Sequence, residues 1–142
     1  MYIAAMVATP PRFSISIAPT ADDIDELGHV SNLVYLRWVQ DVATAHSAAL
    51  GWDMARYRAH GAVFVVRRHE LDYLVPVTLG QTLRADTWVE SWRAASCVRR
   101  TELWCGDVVV ARGATTWAMV GFATGRLQRI PEDIVAEFHR AP

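Results

Sequence analysis

The sequence predicts an α+β domain in which one long helix is wrapped by a curved antiparallel sheet. Three observations predict it. Residues 31–50 are apolar around most of a helical circumference, the pattern of a helix embedded in a core. Residues 62–120 break into successive strand-like runs separated by turn residues. One further strand precedes the helix, so helix and strands are segregated rather than alternating. At 142 residues, the whole chain, 1–142, reads as a single domain.

The opening "MYIAAMVATPPR" has no charged n-region and no long apolar core, so residues 1–11 read as a loose tail rather than a signal peptide. The expected location is cytoplasmic. "RFSISIAP" alternates, with Phe13, Ile15 and Ile17 on one face and Ser14 and Ser16 on the other, until Pro19 stops the strand. An acidic loop follows, in which Asp22, Asp23, Asp25 and Glu26 crowd in front of Gly28-His29.

The helix over 31–50 carries a narrow polar stripe of Arg37, Gln40, Asp41, Thr44 and Ser47 or Ala48. Leu33, Val34, Leu36, Trp38, Val39, Val42, Ala43 and Leu50 fill the rest. Ser31 or Asn32 suits the N-cap and Gly51 the C-terminal stop. A short helix is expected over 53–59, with Asp53 in its first turn and Gly61 after it. Four strands come next. "AVFVVRRHELDYLV" ends at Pro76, and "QTLRADTWVESW" directs Leu83, Ala85, Thr87 and Val89 to one side. Gly106-Asp107 joins "ASCVRRTELWC" to "VVVARGATTWAMV" as a two-residue hairpin turn. "ATGRLQRI" reads as a turn with a short strand. "PEDIVAEFHR" starts a helix with Pro131, Glu132 and Asp133 in its first turn, where acid suits the helix dipole.

Composition narrows the function. Hydrophobic residues make up 52% and charged residues 20%, which indicates a folded protein, and the net charge of -1 offers no basic field for nucleic acid. No run approaches the roughly 18 apolar residues of a membrane span. All 14 cationic residues are arginine. Cys97 and Cys105 match neither a zinc ribbon nor a CxxC pair, so both read as reduced, buried thiols. Nucleophile-elbow, P-loop, dinucleotide and HExxH patterns are absent, and no His/Asp cluster has metal-ligand spacing; no metal and no cofactor is expected.

A solvated loop leading into a helix accounts for Asp22, Asp23 and Glu26, since acid near a helix N-terminus stabilises by about 0.3–1 kcal/mol. Asp25 fits that account too, but it also stands just before Gly28-His29-Val30, where the chain turns into the core. There the unpaired N–H groups of a first helical turn converge beside a carboxylate. The donors can polarise a carbonyl, and the carboxylate can attack it or direct a water at it. His29 reads either as structural or as a group that holds a water or a leaving thiol. His46, opposite the polar stripe, reads as a core histidine, and His60, His69 and His139 show no partner.

"DIDELGHVSNLVYLRWVQD" resembles the signature of hotdog-fold acyl-CoA thioesterases of the 4-hydroxybenzoyl-CoA thioesterase type. Asp23, Asp25, Gly28, His29, Val30, Asn32, Tyr35, Leu36 and Trp38 fill the motif's places. "RHELDYLVPVTLGQTLRADTWVESW" and "ARGATTWAMVGFATGRLQRIPEDI" extend the similarity to about residues 13–138. The resemblance implies a hotdog fold, a homodimer or homotetramer with sites between subunits, and hydrolysis of a coenzyme A thioester to a carboxylic acid and CoA. It assigns Asp25 as the catalytic nucleophile or base, with His29 beside it. It further assigns the backbone N–H groups of Val30, Ser31 and Asn32 as carbonyl binders, and Asp23 and Gly28 as loop residues. An acyl-CoA binding module without turnover is the alternative on the same fold, as is an acyl-carrier-protein thioesterase. Leu27 stands where the plant acyl-carrier-protein enzymes have Asn, which counts against the latter. A hotdog dehydratase would need a different, His-centred motif. Arg67, Arg68, Arg93, Arg99 and Arg100 are candidates for CoA phosphates by chemistry, though each reads first as a solvated arginine. Asp41 reads as an i,i+4 partner of Arg37. Tyr35, Trp38, Phe64 and Tyr73 read as core before they read as an acyl pocket.

Overall fold

The computed structural model describes residues 5–6 and 10–142. Of the expected loose tail, 1–4 and 7–9 lie outside the described residues. Ala5–Met6 departs from that expectation: it forms a short strand, β1, against Trp92 and Ser91. The remaining order is β2 (Phe13–Ile17), a 3-10 turn (Ala21–Asp23), α1 (Asn32–Ala49), α2 (Met54–His60), β3 (Ala62–Tyr73), β4 (Leu83–Trp92), β5 (Ser96–Cys105), β6 (Val108–Gly121) and α3 (Glu132–Phe138). The strands form one antiparallel sheet in the order β1-β4-β5-β6-β3, with β2 also paired to β4. Register breaks at Val66/Arg68, Val89/Ser91 and Leu103/Trp104 mark bulges, which bend strands and curl the sheet around α1.

The strand patterns hold at the level of single side chains. Leu83, Ala85, Thr87 and Val89 are all buried. "ATGRLQRI" contributes only an isolated bridge, Val120 to Leu127, instead of a strand. Gly106 adopts the left-handed conformation that a two-residue hairpin requires. Asp53 lies one residue outside α2, where its carboxylate accepts from Arg56 N at 2.9 Å as the N-cap. Pro131 likewise sits at the N-cap of α3, just before its first turn.

Ser31 caps α1, and its hydroxyl accepts from Leu33 N at a long 3.4 Å. The helix buries Val34, Tyr35, Trp38, Val39, Val42, Ala43, His46 and Ser47 against the sheet. The buried arc is narrower than its composition suggests: Leu33 is 75% exposed, because the sheet of a single chain covers only one side of the helix. Two apolar clusters result. One joins the N-terminal half of α1 to β2 and β4 through Tyr35, Trp38 and Leu83. The other joins its C-terminal end to α2 and α3 through Trp52, Tyr57, Ile134 and Phe138. Among the described residues no helix is long and apolar enough to cross a membrane.

Candidate active site

The acidic loop is a set of interlocking turns. Asp25 N donates to His29 O at 2.8 Å, and Gly28 N donates to Asp25 O at 3.0 Å. Gly28 has φ +80, a left-handed conformation that lets the chain double back. The turn aims the Asp25 carboxylate: Oδ1 accepts from Leu27 N at 2.9 Å and, more weakly, from His29 N at 3.4 Å. Oδ2 has no hydrogen-bond partner among the described residues, and the residue is exposed. An aspartate whose side chain bonds its own backbone two residues on is held in one orientation without help from a second element.

Asp23 does different work. It is buried, its Oδ2 accepts from Thr20 N at 2.8 Å, and its Oδ1 pairs with Arg37 at 2.9 Å. The Thr20 N–H and the Arg37 guanidinium hold its carboxyl below the usual range. Arg37 therefore pairs with the loop and not with Asp41, the partner that the helical spacing suggests. The loop aspartate wins because it is buried and already ordered, whereas Asp41 lies on the exposed face.

The three backbone donors assigned by the resemblance do not share one fate. Val30 N donates to Val77 O at 2.8 Å, and Ser31 N to Asp23 O at 2.9 Å. Both are engaged in anchoring the loop, so in this structure neither N–H is open to a carbonyl oxygen. Asn32 N, at the first position of α1, has no partner among the described residues, and Leu33 N has only the long contact to Ser31. Helical geometry leaves such donors open, and they suit a developing oxyanion. The His29 ring makes no hydrogen bond to Asp25 or to another described residue; the contact between the two residues runs through the backbone.

Apolar side chains surround this loop on the outside. Leu27 is 80% exposed, and Leu74, Val75 and Leu79 are exposed on the segment that the Val30–Val77 bond holds beside it. The Tyr73 hydroxyl donates to Asn32 O at 3.2 Å, and its ring meets Tyr35 edge-on. Tyr35 and Trp38 are core residues, while Phe64 lines a cavity elsewhere in the fold.

The family follows from the whole chain. The model of the Thioesterase-like superfamily matches residues 19–138, from just before the acidic loop to the end of α3. The chain belongs to the thioesterase-like superfamily. Solved structures show the hotdog fold of this superfamily in the same arrangement. A Staphylococcus aureus protein in complex with CoA superposes with a TM-score of 0.84 at 14% identity, covering 94% of this chain and 85% of that one. A 1,4-dihydroxy-2-naphthoyl-CoA thioesterase from Synechocystis gives 0.81 at 13% identity, covering 90% and 96%. A DHNA-CoA thioesterase from Staphylococcus aureus gives 0.81 at 17% identity, covering 89% and 88%. No curated protein matches the chain.

Other candidates of this thioesterase-superfamily chain disperse. Arg68 pairs with Glu70 at 2.7 Å and Arg100 pairs with Glu90, while Arg67 and Arg93 are exposed. Arg99 is not a solvated arginine. It is buried, and it donates to His46 Nδ1 at 2.9 Å and to Thr87 Oγ1 at 3.1 Å. His46 stacks on Phe13, and burial, assisted by the Arg99 charge, pushes its pKa down to about 3. A guanidinium only donates, so Nδ1 is the acceptor and Nε2 carries the proton, with no partner among the described residues. Cys97 is buried nearby in the fold, and burial pushes its thiol up to about 12. Cys105 is half-buried beside Gln81. Among the described residues no group of three or more His, Cys, Asp or Glu side chains could hold a metal ion.

Proposed function

We propose that this protein hydrolyses acyl-CoA thioesters, with Asp25 as the catalytic carboxylate. The observation that carries the reading is the Asp25 side chain, fixed through Oδ1 by Leu27 N, just ahead of a helix; among the described residues its Oδ2 and the first helical N–H have no partner. Asn32 N would meet the thioester oxygen as charge develops on it. Removing a donor of this kind typically costs about 100- to 1,000-fold in rate. Asp25 either adds to the carbonyl carbon, expelling CoA thiolate and leaving an anhydride for water to cleave, or takes a proton from a water that adds instead. In both routes the sulfur leaves as thiolate, and His29 is the side chain assigned to meet it. The CoA-bound and CoA-thioesterase neighbours favour a CoA ester as substrate. Its phosphates suit exposed arginines such as Arg67 and Arg93.

The site is completed by a second copy of the chain. The exposed leucines at 27 and 33, together with Leu74, Val75 and Leu79, form an apolar rim around the loop that a partner subunit would cover. Among the described residues β3 is hydrogen-bonded only to β6, which leaves its other edge for pairing. Thiol release from a panel of acyl-CoA esters, from short aliphatic to benzoyl and phenylacetyl, tests the activity and sets the acyl class. Saturable binding without thiol release would replace hydrolysis with a binding role.

A further inference from the structure

A cavity of about 200 Å³ lies between the C-terminal half of α1, α2, α3 and the inner face of the sheet. Its walls include Trp52, Tyr57, Phe64, Trp92, Trp117 and Phe138. It reaches the surface where Thr44, Asp53 and Met54, all exposed, line its mouth. The cavity is separate from the acidic loop. Asp25 does not line it, and its α1 residues begin at Ala43, about 16 Å along the helix axis from Asn32 at ~1.5 Å per residue.

Arg99 lines this apolar space while only 5% exposed. Its two side-chain partners, His46 and Thr87, are neutral, and both take their bond from the same nitrogen, NH1. Nε and NH2 make no hydrogen bond among the described residues, and no described carboxylate pairs with the guanidinium. The Trp117 side chain is on the same lining, and its Nε1 is buried without an acceptor among the described residues. The Arg99 guanidinium therefore brings unmatched donors to a hydrophobic void. Leaving a buried charge without a counter-ion costs several kcal/mol, and well-packed apolar residues of similar volume would often do as well or better. The missing partner is an acceptor that carries one negative charge.

We infer that this cavity binds a small carboxylic acid, with its ionised carboxylate on Arg99 and its apolar body among the aromatic side chains. The free edge of the guanidinium suits a planar carboxylate bidentately. The volume corresponds to about seven waters, at roughly 30 Å³ each, so the ligand has on the order of ten non-hydrogen atoms. One arginine balances one charge, and the Asp53 carboxylate at the mouth opposes a polyanion, so a phosphate ester or CoA itself fits poorly. The inference does not depend on a reaction at Asp25.

Phenylacetate is the probe, titrated by calorimetry and by the fluorescence of the lining tryptophans, with phenylacetamide as the neutral isostere. Wild-type protein should bind the acid saturably and roughly ten- to a hundredfold more tightly than the amide, the difference expected for a charge-assisted bond. Arg99→Met should lose that preference, and Asp25→Asn should retain it. Equal affinity for acid and amide in the wild type, or no saturable response to either, would overturn the inference. So would loss of binding in Asp25→Asn, which would place the acid at the loop. Should Arg99→Met fail to fold, the acid–amide comparison in the wild type decides alone.

Discussion

Asp23 and Arg37 meet at 2.9 Å, and this pair fastens the loop that carries Asp25 to the second turn of α1. The same aspartate takes Thr20 N on its other oxygen and Ser31 N on its carbonyl, so one residue anchors the loop at three points. Asp23→Ala removes both side-chain contacts and should destabilise the protein by about 1–3 kcal/mol. Arg37→Ala should cost less, under about 1 kcal/mol, because the guanidinium is half exposed and solvent screens the pair. Urea unfolding of the two variants checks the order. Equal losses would mean that the Thr20 contact contributes nothing.

Gly28 turns the loop with φ +80, and a Cβ added there would meet no atom of the described residues within 4 Å. Gly28→Ala should therefore cost only the backbone penalty of the left-handed region, about 1–2 kcal/mol. A thermal melt should show a drop of a few degrees without loss of folding. A much larger loss would show that the turn is coupled to packing elsewhere.

His46 makes the fold sensitive to acid. Burial holds its pKa near 3 in the native state against 6.5 for the free side chain, so the unfolded chain takes up a proton that the folded chain refuses. Stability should thus fall as pH drops below about 6.5, by roughly 1.4 kcal/mol per pH unit at full effect. His69 and His139, also lowered by burial, act in the same direction. Asp23, whose pKa is lowered, adds its own loss only as pH falls below its unfolded value of 3.8. Unfolding free energies of wild type and His46→Gln between pH 7 and 4.5 should diverge in slope, with the variant flatter. Parallel slopes would remove His46 as the source.

Leu33 tests the second copy. It is 75% exposed on α1 beside the site, so Leu33→Glu should leave the fold of one chain unharmed. It should shift the protein toward monomer, as read by light scattering, and reduce turnover with it. An unchanged mass with full activity would place the subunit contact elsewhere.

Much of this was legible in the sequence because local chemistry and tertiary packing agree. The period-two pattern of 83–89 became a strand with those residues inside, and Gly106-Asp107 became the hairpin. Asp25 was singled out by its place before Gly28, and the structure supplies the turn that orients it. What the sequence did not show were long-range choices. Arg37 reached across 14 positions to Asp23 instead of one turn to Asp41. Val30 and Ser31 donate to partners that no spacing reveals. Arg99 looked like any strand arginine, and only the sheet's register beneath His46 buries it. An arginine flanked by Cys97 and Thr101 at alternate positions, both inward-facing, was the available clue.

Asp25→Asn tests the central claim most directly. The substitution keeps the shape and the Oδ1 acceptor that Leu27 N requires, on an exposed loop, so folding and thermal stability should be unchanged. Thiol release from the best acyl-CoA ester should fall by at least about 100-fold, the lower range for loss of a catalytic acid–base group. Turnover at the wild-type rate by a folded Asp25→Asn protein would contradict the account.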